Sequence, residues 1–252
     1  MPRLLKQIVI AFIFFVVVGF IIYLSFFKDS ALLLPPQVVI QPPQIVSERL
    51  FRIKNFDYDF LAEIKNPNVD FGATDVFYEL SLFDQNNEVV SVRRGSLNLL
   101  PGQIRYEVIA PITADRELTR AVFKITNADW QKTREFIPQS LFSLRSREYL
   151  MIEPPEQGFS KLEGILFNNS NFDFDRVDVH IILFDGDNQP VAVNKTDIRT
   201  FLAKTERFFE VKWPESFGGD IRRLEINAYT DIFKNDNFIK EYGTQEKFQK
   251  FY

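Results

Sequence analysis

Two stretches decide the fold: "VFYELSLFD" at residues 76–84 and "VDVHIILFD" at residues 177–185. Each alternates, and each closes on Leu-Phe-Asp. At an offset of 101, Val76, Tyr78, Leu80 and Leu82 align with Val177, Val179, Ile181 and Leu183. Side chains two apart on a strand share a face, so these positions form the core side of a half-buried strand. The intervening Phe77, Glu79, Ser81 and Phe83 align with Asp178, His180, Ile182 and Phe184 on the other side. In a two-layer sandwich that side meets water. Phe77, Phe83, Ile182 and Phe184 are therefore candidate interaction residues: another part of the chain covers them, or they form a sticky patch.

The repeat extends both ways from these strands. Upstream, "YDFLAEIKNPN" (58–68) and "SKLEGILFNNSN" (160–171) are alternating strands that end in Asn-rich turns. Downstream, "NNEVVSV" aligns with "DNQPVAV", "GSLNLLPGQIRYEV" with "TDIRTFLAKTERFFEV", and "LTRAVFKITNA" with "IRRLEINA". Pro111 and Pro214 fall at similar places. Six or seven short strands per unit, separated by turn residues, predict an antiparallel β-sandwich, with a barrel open on pattern alone. The 28 Phe residues and sparse Gly lean the same way.

The strand ending "LSLFD" or "IILFD", with its Asn-rich turn, its "NEVV" or "QPVAV" return and its "L-x-P-G-x" segment, resembles the FxLYD-type domains of bacterial envelope proteins. Both copies carry Phe where that family usually has Tyr, and the second has Ala203-Lys204 in place of Pro-Gly. The resemblance spans most of residues 50–130 and 158–235. It implies immunoglobulin-like sandwiches in an envelope protein, and it carries no catalytic residue.

Residues 7–27, "QIVIAFIFFVVVGFIIYLSFF", hold no charge. A helix of this length spans about 31 Å, close to the hydrocarbon thickness of a bilayer. Ile8, Phe12, Phe15, Val17, Ile21 and Leu24 are taken as membrane-span residues. A cleaved signal peptide has a shorter apolar region and a small-x-small site, and "SFFKDSALL" has no good one, so an uncleaved anchor is the reading. Arg3 and Lys6 precede the span, whereas Lys28 is offset by Asp29. This bias favours a cytoplasmic N-terminus and extracytoplasmic C-terminal domains at the cell membrane.

The expected fold class is all-β: two tandem immunoglobulin-like antiparallel β-sandwiches preceded by one transmembrane α-helix. The expected order is a cytoplasmic N-terminus (1–6), the transmembrane helix (7–27), a Pro-rich spacer (28–49), sandwich 1 (50–132), a linker (133–157), sandwich 2 (158–236) and a C-terminal tail (237–252). The spacer has two Pro-Pro pairs and is either a semi-rigid solvated segment or in part an edge strand of the first sandwich. The apolar part of the linker adds a strand or packs between the units. The tail frays or docks on the second sandwich, with a partner-binding peptide as the alternative.

Composition narrows the chemistry. With no Cys there is no disulfide, thiolate nucleophile or Cys metal site. Net charge is −4, and setting Arg3 and Lys6 aside leaves 28 basic against 34 acidic residues, so there is no nucleic-acid footprint. The single histidine, His180, lies at non-core parity, where a solvated surface residue is expected. Asp185, Asp187 and Asn188 resemble the start of a calcium loop, but loop position twelve is Thr196 where an EF-hand has Glu. They read as turn formers, like Asp84, Asn86 and Asn87. The acids Asp173, Asp175 and Asp178 read as a solvated face, with no defined cleft for glycosidase carboxylates. Asn168-Asn169-Ser170 and Asn194-Lys195-Thr196 fit the glycosylation pattern. No cofactor and no enzymatic activity is expected. The functional expectation is a membrane-anchored scaffold or interaction module, bound to the lipid bilayer by its helix and to an envelope protein partner. A cell-wall or carbohydrate-binding module on the same anchor is the alternative.

Overall fold

The structure, a computed structural model, describes residues 3–27, 39–133, 141–154, 156–236 and 248–251. The chain divides into two units, Met1–Ile40 and Gln41–Tyr252. The first holds one helix, α1 (Arg3–Phe27). Its stretch Lys6–Tyr23 is long and apolar enough to cross a membrane. Ile8, Phe12, Phe15, Val17 and Ile21 are all exposed on it, as expected where lipid rather than protein would cover them. Leu24 belongs to the helix, but its side chain lies outside the described residues.

The second unit is all antiparallel β. Its first half contains β1 (Gln44–Lys54), β2 (Asp57–Lys65), β3 (Phe71–Phe83), β4 (Val89–Leu99), β5 (Ile104–Thr113) and β6 (Arg120–Thr133). Its second half contains β7 (Phe142–Met151), β8 (Ser160–Asn168), β9 (Phe174–Phe184), β10 (Pro190–Phe201), β11 (Glu206–Trp213) and β12 (Arg223–Tyr229). A 3-10 turn, Ile232–Lys234, and β13 (Phe248–Phe251) follow. The first half pairs as β1-β2-β5 and β6-β3-β4, and the second as β7-β8-β11 and β12-β9-β10. Both halves are thus immunoglobulin-like sandwiches with the same strand order.

Alternation places each core. Val76, Leu80 and Leu82 of β3 are fully buried with Phe60 and Ile64 of β2 and Ile112 of β5. In the second sandwich Val177, Val179, Ile181 and Leu183 are fully buried with Leu162, Phe201 and Trp213. Gly164 on β8 lets Phe209 lie flat on the strand, since a Cβ there would occupy the ring. The Asp of each Leu-Phe-Asp builds a turn: Asp84 Oδ1 accepts from the N–H groups of Asn86 and Glu88, and Asp185 Oδ1 from those of Asp187 and Gln189. Asn87 and Asn188 follow at φ 60°, a left-handed position that Asn tolerates. The Asn-rich turns have buried pins. Asn66 donates to the carbonyls of Phe71 and Leu100, and Asn168 to those of Phe172, Phe201 and Leu202. Asn168 is therefore a structural amide rather than an accessible glycan acceptor.

Two segments take one of their open alternatives, and the tail departs from expectation. β1 starts at Gln44, so the end of the Pro-rich spacer is the edge strand of the first sandwich. β7 occupies the middle of the 133–157 segment read as a linker, because "FSLRSREYLM" finds the open edge of β8. Residues 134–140 lie outside the described residues. The described part of the tail joins the first sandwich rather than the second: β13 pairs antiparallel with β6, from Phe248 opposite Thr133 to Phe251 opposite Trp130. It adds a fourth strand to the β6-β3-β4 sheet of the first sandwich, and residues 237–247 lie outside the described residues.

The two sandwiches share a buried seam. Phe51, Leu61 and Val108 point outward from β1-β2-β5 and pack on Ile182, Phe184 and Val193, which point outward from β12-β9-β10. The body is thus four sheets deep, and its two inner sheets are covered on both faces.

Candidate functional site

The four candidate interaction residues have two different fates. Ile182 is 0% and Phe184 5% exposed, both within the seam. They are covered from within the chain and offer no free surface. The Arg223 guanidinium lies 3.6 Å from the centre of the Phe184 ring. In the first sandwich the matching side of β3 is the outside of the body. Phe77 is 41% exposed there, and Phe83 is half-buried beneath Arg120, 4.0 Å from its ring centre. One face of the repeat is used internally in one copy and left open in the other.

His180 also departs from expectation. It is 3% exposed, because the first sandwich lies over it. Its Nδ1–H donates to the Tyr106 carbonyl at 3.0 Å, since a carbonyl can only accept, and its ring stands edge-on to Tyr229. Burial pushes its pKa down to about 3, helped by the positive charges of Arg105, Lys195 and Arg176 and opposed by the Tyr106 hydrogen bond. The imidazole is neutral and structural.

Around it runs a polar cluster for which the sequence reading had no role. Arg105 and Glu107 stand on β5 at core parity and are buried. Arg105 donates to Asn98 Oδ1 at 2.5 Å and to the Asn98 carbonyl at 3.0 Å, and it stacks 4.4 Å over the Tyr229 ring. Its guanidinium lies 3.9 Å from Glu107 Oε2. The Tyr78 hydroxyl donates to Glu107 Oε1 at 3.0 Å, and the Tyr229 hydroxyl accepts from the Tyr106 N–H at 3.1 Å. Burial raises the Glu107 pKa, while Arg105 and then Lys195 pull it down. Burial carries Tyr229 up to about 12. Farther along the seam, a cleft of about 540 Å³ holds Lys54, Asp57, Asp59, Lys195, Lys212 and Glu215. Asp59 is pushed up to about 6, mainly by burial and against the field of Lys195. Lys195 donates to the Val108 carbonyl at 2.9 Å, and Lys54 pairs with Glu215 at 2.6 Å. These charges tie the two sandwiches together.

The signal for this cluster was present in "QIRYEVIA". There the charged residues hold core parity while Tyr106, Val108 and Ala110 hold the outward one, the mark of a strand buried on both sides.

A pH test isolates His180. Its folded pKa lies below its unfolded value of about 6.5, so the unfolded chain takes up the proton first. The resulting penalty is absent above about pH 6.5, grows as pH falls at about 1.4 kcal/mol per unit, and levels off near pH 3. Asp59, with its raised folded value, acts in the opposite sense between about 6 and 3.8. The comparison is therefore between His180→Gln and the parent chain at each pH. The variant should gain on the parent by roughly 1 kcal/mol per unit from pH 6 to pH 4, read as chemical-denaturation midpoints. A difference that does not vary with pH rejects the assignment.

Open surface geometry supplies the remaining candidates. A depression of about 650 Å³ on the second sandwich is lined by Tyr149, Phe159, Phe217, Arg147, Arg222 and Leu224. Phe159 and Phe217 meet at 82°, and Trp213 stands 72° from Phe217. Sugar stacking calls for coplanar rings, and these rings are packed edge to face. Among the described residues no cluster of His, Cys, Asp or Glu could hold a metal ion.

No family model matches the chain, and no curated protein matches it. Among solved structures it is similar to the calcium-binding domain CBD12 of CALX1.1, at 11% identity and TM-score 0.20, over 67% of this chain and 72% of that one. It is also similar to a glycosyl hydrolase family 2 member from Bacteroides cellulosilyticus DSM 14838, at 10% identity and TM-score 0.18, over 68% of this chain and 28% of that one. What the chain displays is β-sandwich architecture behind one apolar N-terminal helix.

Proposed function

We propose that this chain is a single-pass, membrane-anchored envelope protein of the FxLYD type. In this reading α1 is an uncleaved anchor with its N-terminus in the cytoplasm. The body is extracytoplasmic and works as a non-enzymatic scaffold or protein-interaction module. One observation carries the reading. The polar groups fit for chemistry are consumed in structure: His180 and Arg105 reach across to Tyr106 and Tyr229 of the opposite sandwich, and Glu107 is held within the first by Tyr78 and Arg105. The outward sheet faces are left as mixed apolar and charged surfaces, of the kind that recognise other proteins.

Protease added to spheroplasts should degrade the body and spare a short anchor-bearing fragment. Crosslinking in the native membrane followed by pull-down of the intact chain should recover a defined protein. A body protected from external protease rejects the topology. Tight binding to cell-wall material with no protein recovered rejects the interaction reading in favour of a wall-binding module.

A further inference from the structure

The seam between the sandwiches is a head-to-tail contact. It joins the outer face of β1-β2-β5 in the first sandwich to the outer face of β12-β9-β10 in the second. Each sandwich also has the other kind of face, so the body ends in one unused copy of each. A contact between unlike faces does not close on itself, and it can be repeated from one molecule to the next.

The two unused faces are complementary. On the first sandwich, β6-β3-β4 turns Phe77, Phe83 and Val92 outward. Arg94, Arg120 and Lys124 stand around them, against Glu79, which is paired with Arg94 at 2.8 Å, and Asp129 at the far margin. This face is basic. On the second sandwich, β7-β8-β11 turns Ile165, Phe167 and Phe208 outward, and Phe208 is 61% exposed. Around them stand Glu148, Glu163, Glu206 and Glu210. Lys161 lies 2.7 Å from Glu163, and Lys212 lies 3.5 Å from Glu210. Arg145 sits over Phe167, 4.2 Å from the ring centre. Arg145 also pairs with Glu206 at 3.7 Å, so four acids stand against three bases and this face is acidic by a single charge.

We propose that the basic outer face of β6-β3-β4 receives the acidic outer face of β7-β8-β11 of a second copy of this chain, repeating between molecules the step already taken within one. The inference rests on the interaction reading above and names the partner. The strength of the contact also follows from the repeat. Where the internal seam has Ile182, the open face has Ser81, and where it has Leu61, the other open face has Glu163. The contact between copies is therefore less apolar than the seam. It is reversible and steered by charge, hence salt-sensitive. Anchoring in a common membrane raises the effective concentration at which it operates.

The absence of native cysteine makes the test direct. Full-length chains carrying Ser81→Cys or Ile165→Cys are co-expressed in the membrane and treated with a short bismaleimide. A mixture of the two should give a crosslinked dimer that neither forms alone, and a chain with both substitutions should give a ladder. Arg94→Glu with Lys124→Glu should reduce the product at least fivefold, and Glu163→Lys with Glu210→Lys on the partner chain should restore it. Raising the salt to about 0.5 M should also reduce it. A dimer from Ser81→Cys alone means that the basic face meets itself, and this overturns the proposal. So does the absence of mixed product at low salt. Either result leaves the interaction reading standing if pull-down still recovers a different protein.

Discussion

Ile182→Asp is expected to destabilise the chain by about 3–5 kcal/mol, whereas Ser81→Asp at the matching position of the first sandwich should cost less than about 0.5 kcal/mol. Both residues stand on the outward side of the central strand that ends in Leu-Phe-Asp. Ile182 is fully buried among Leu61, Val108 and Phe51, where a carboxylate would be desolvated with no hydrogen-bond donor supplied by its apolar neighbours. Ser81 faces outward beside Glu79 and opposite Val92 and Val122, where water reaches a new charge. Denaturant titration of both variants gives the comparison directly. Equal effects would mean that the seam does not form, because the two sites differ chiefly in what covers them.

Arg105→Met should cost a comparable amount at neutral pH, about 3–5 kcal/mol. The exchange keeps most of the volume but leaves the buried Glu107 without its nearest cation and removes the stacking on Tyr229. The deficit depends on pH. Glu107 has a folded pKa above its ordinary 4.5, and losing Arg105 raises it further. The folded variant then takes up a proton that the unfolded chain still lacks. Its stability relative to the parent should recover as pH falls towards 4.5 and be worst above neutrality. Adding Glu107→Gln should restore at least half of the loss at pH 7, a non-additivity that a double-mutant cycle measures. Simple additivity of the two changes would show that the groups do not act as a pair.

These two sites also show what could be read in the sequence. Val76, Leu80 and Leu82, and their counterparts Val177, Ile181 and Leu183, were legible because a strand with one buried face must alternate. The turns were legible because Asp84 and Asp185 act on their own backbone within four residues. The outward row was not, because its environment is set by a different sandwich. The closing Leu-Phe-Asp is identical in both copies, and the docking of Leu61 and Val108 is what buries Phe184 and not Phe83. The unbroken runs "FLA" at 60–62 and "HIILF" at 180–184 did carry a sign of two-sided burial, of the kind seen in strands covered on both faces. His180 sits inside the second of these runs, and its burial follows from its neighbours rather than from its own chemistry.

The pairing of β13 with β6 bears on the order in which the chain is completed. The first sandwich is synthesised before the second, and domains generally fold as they emerge. Yet its outermost strand is Phe248–Phe251, made after every strand of the second sandwich. Until then the Trp130–Thr133 edge of β6 is an unpaired strand border during synthesis, open to any extended chain nearby. Partial protection is local: the Glu48 carboxylate accepts from the Phe123 N–H, farther along the same strand. The last ladder closes over a loop of more than a hundred residues, a contact whose formation is slow because loop closure must come first. The first-made sandwich is therefore completed only after the second has been synthesised, and until then the nascent chain is open to mispairing along that border.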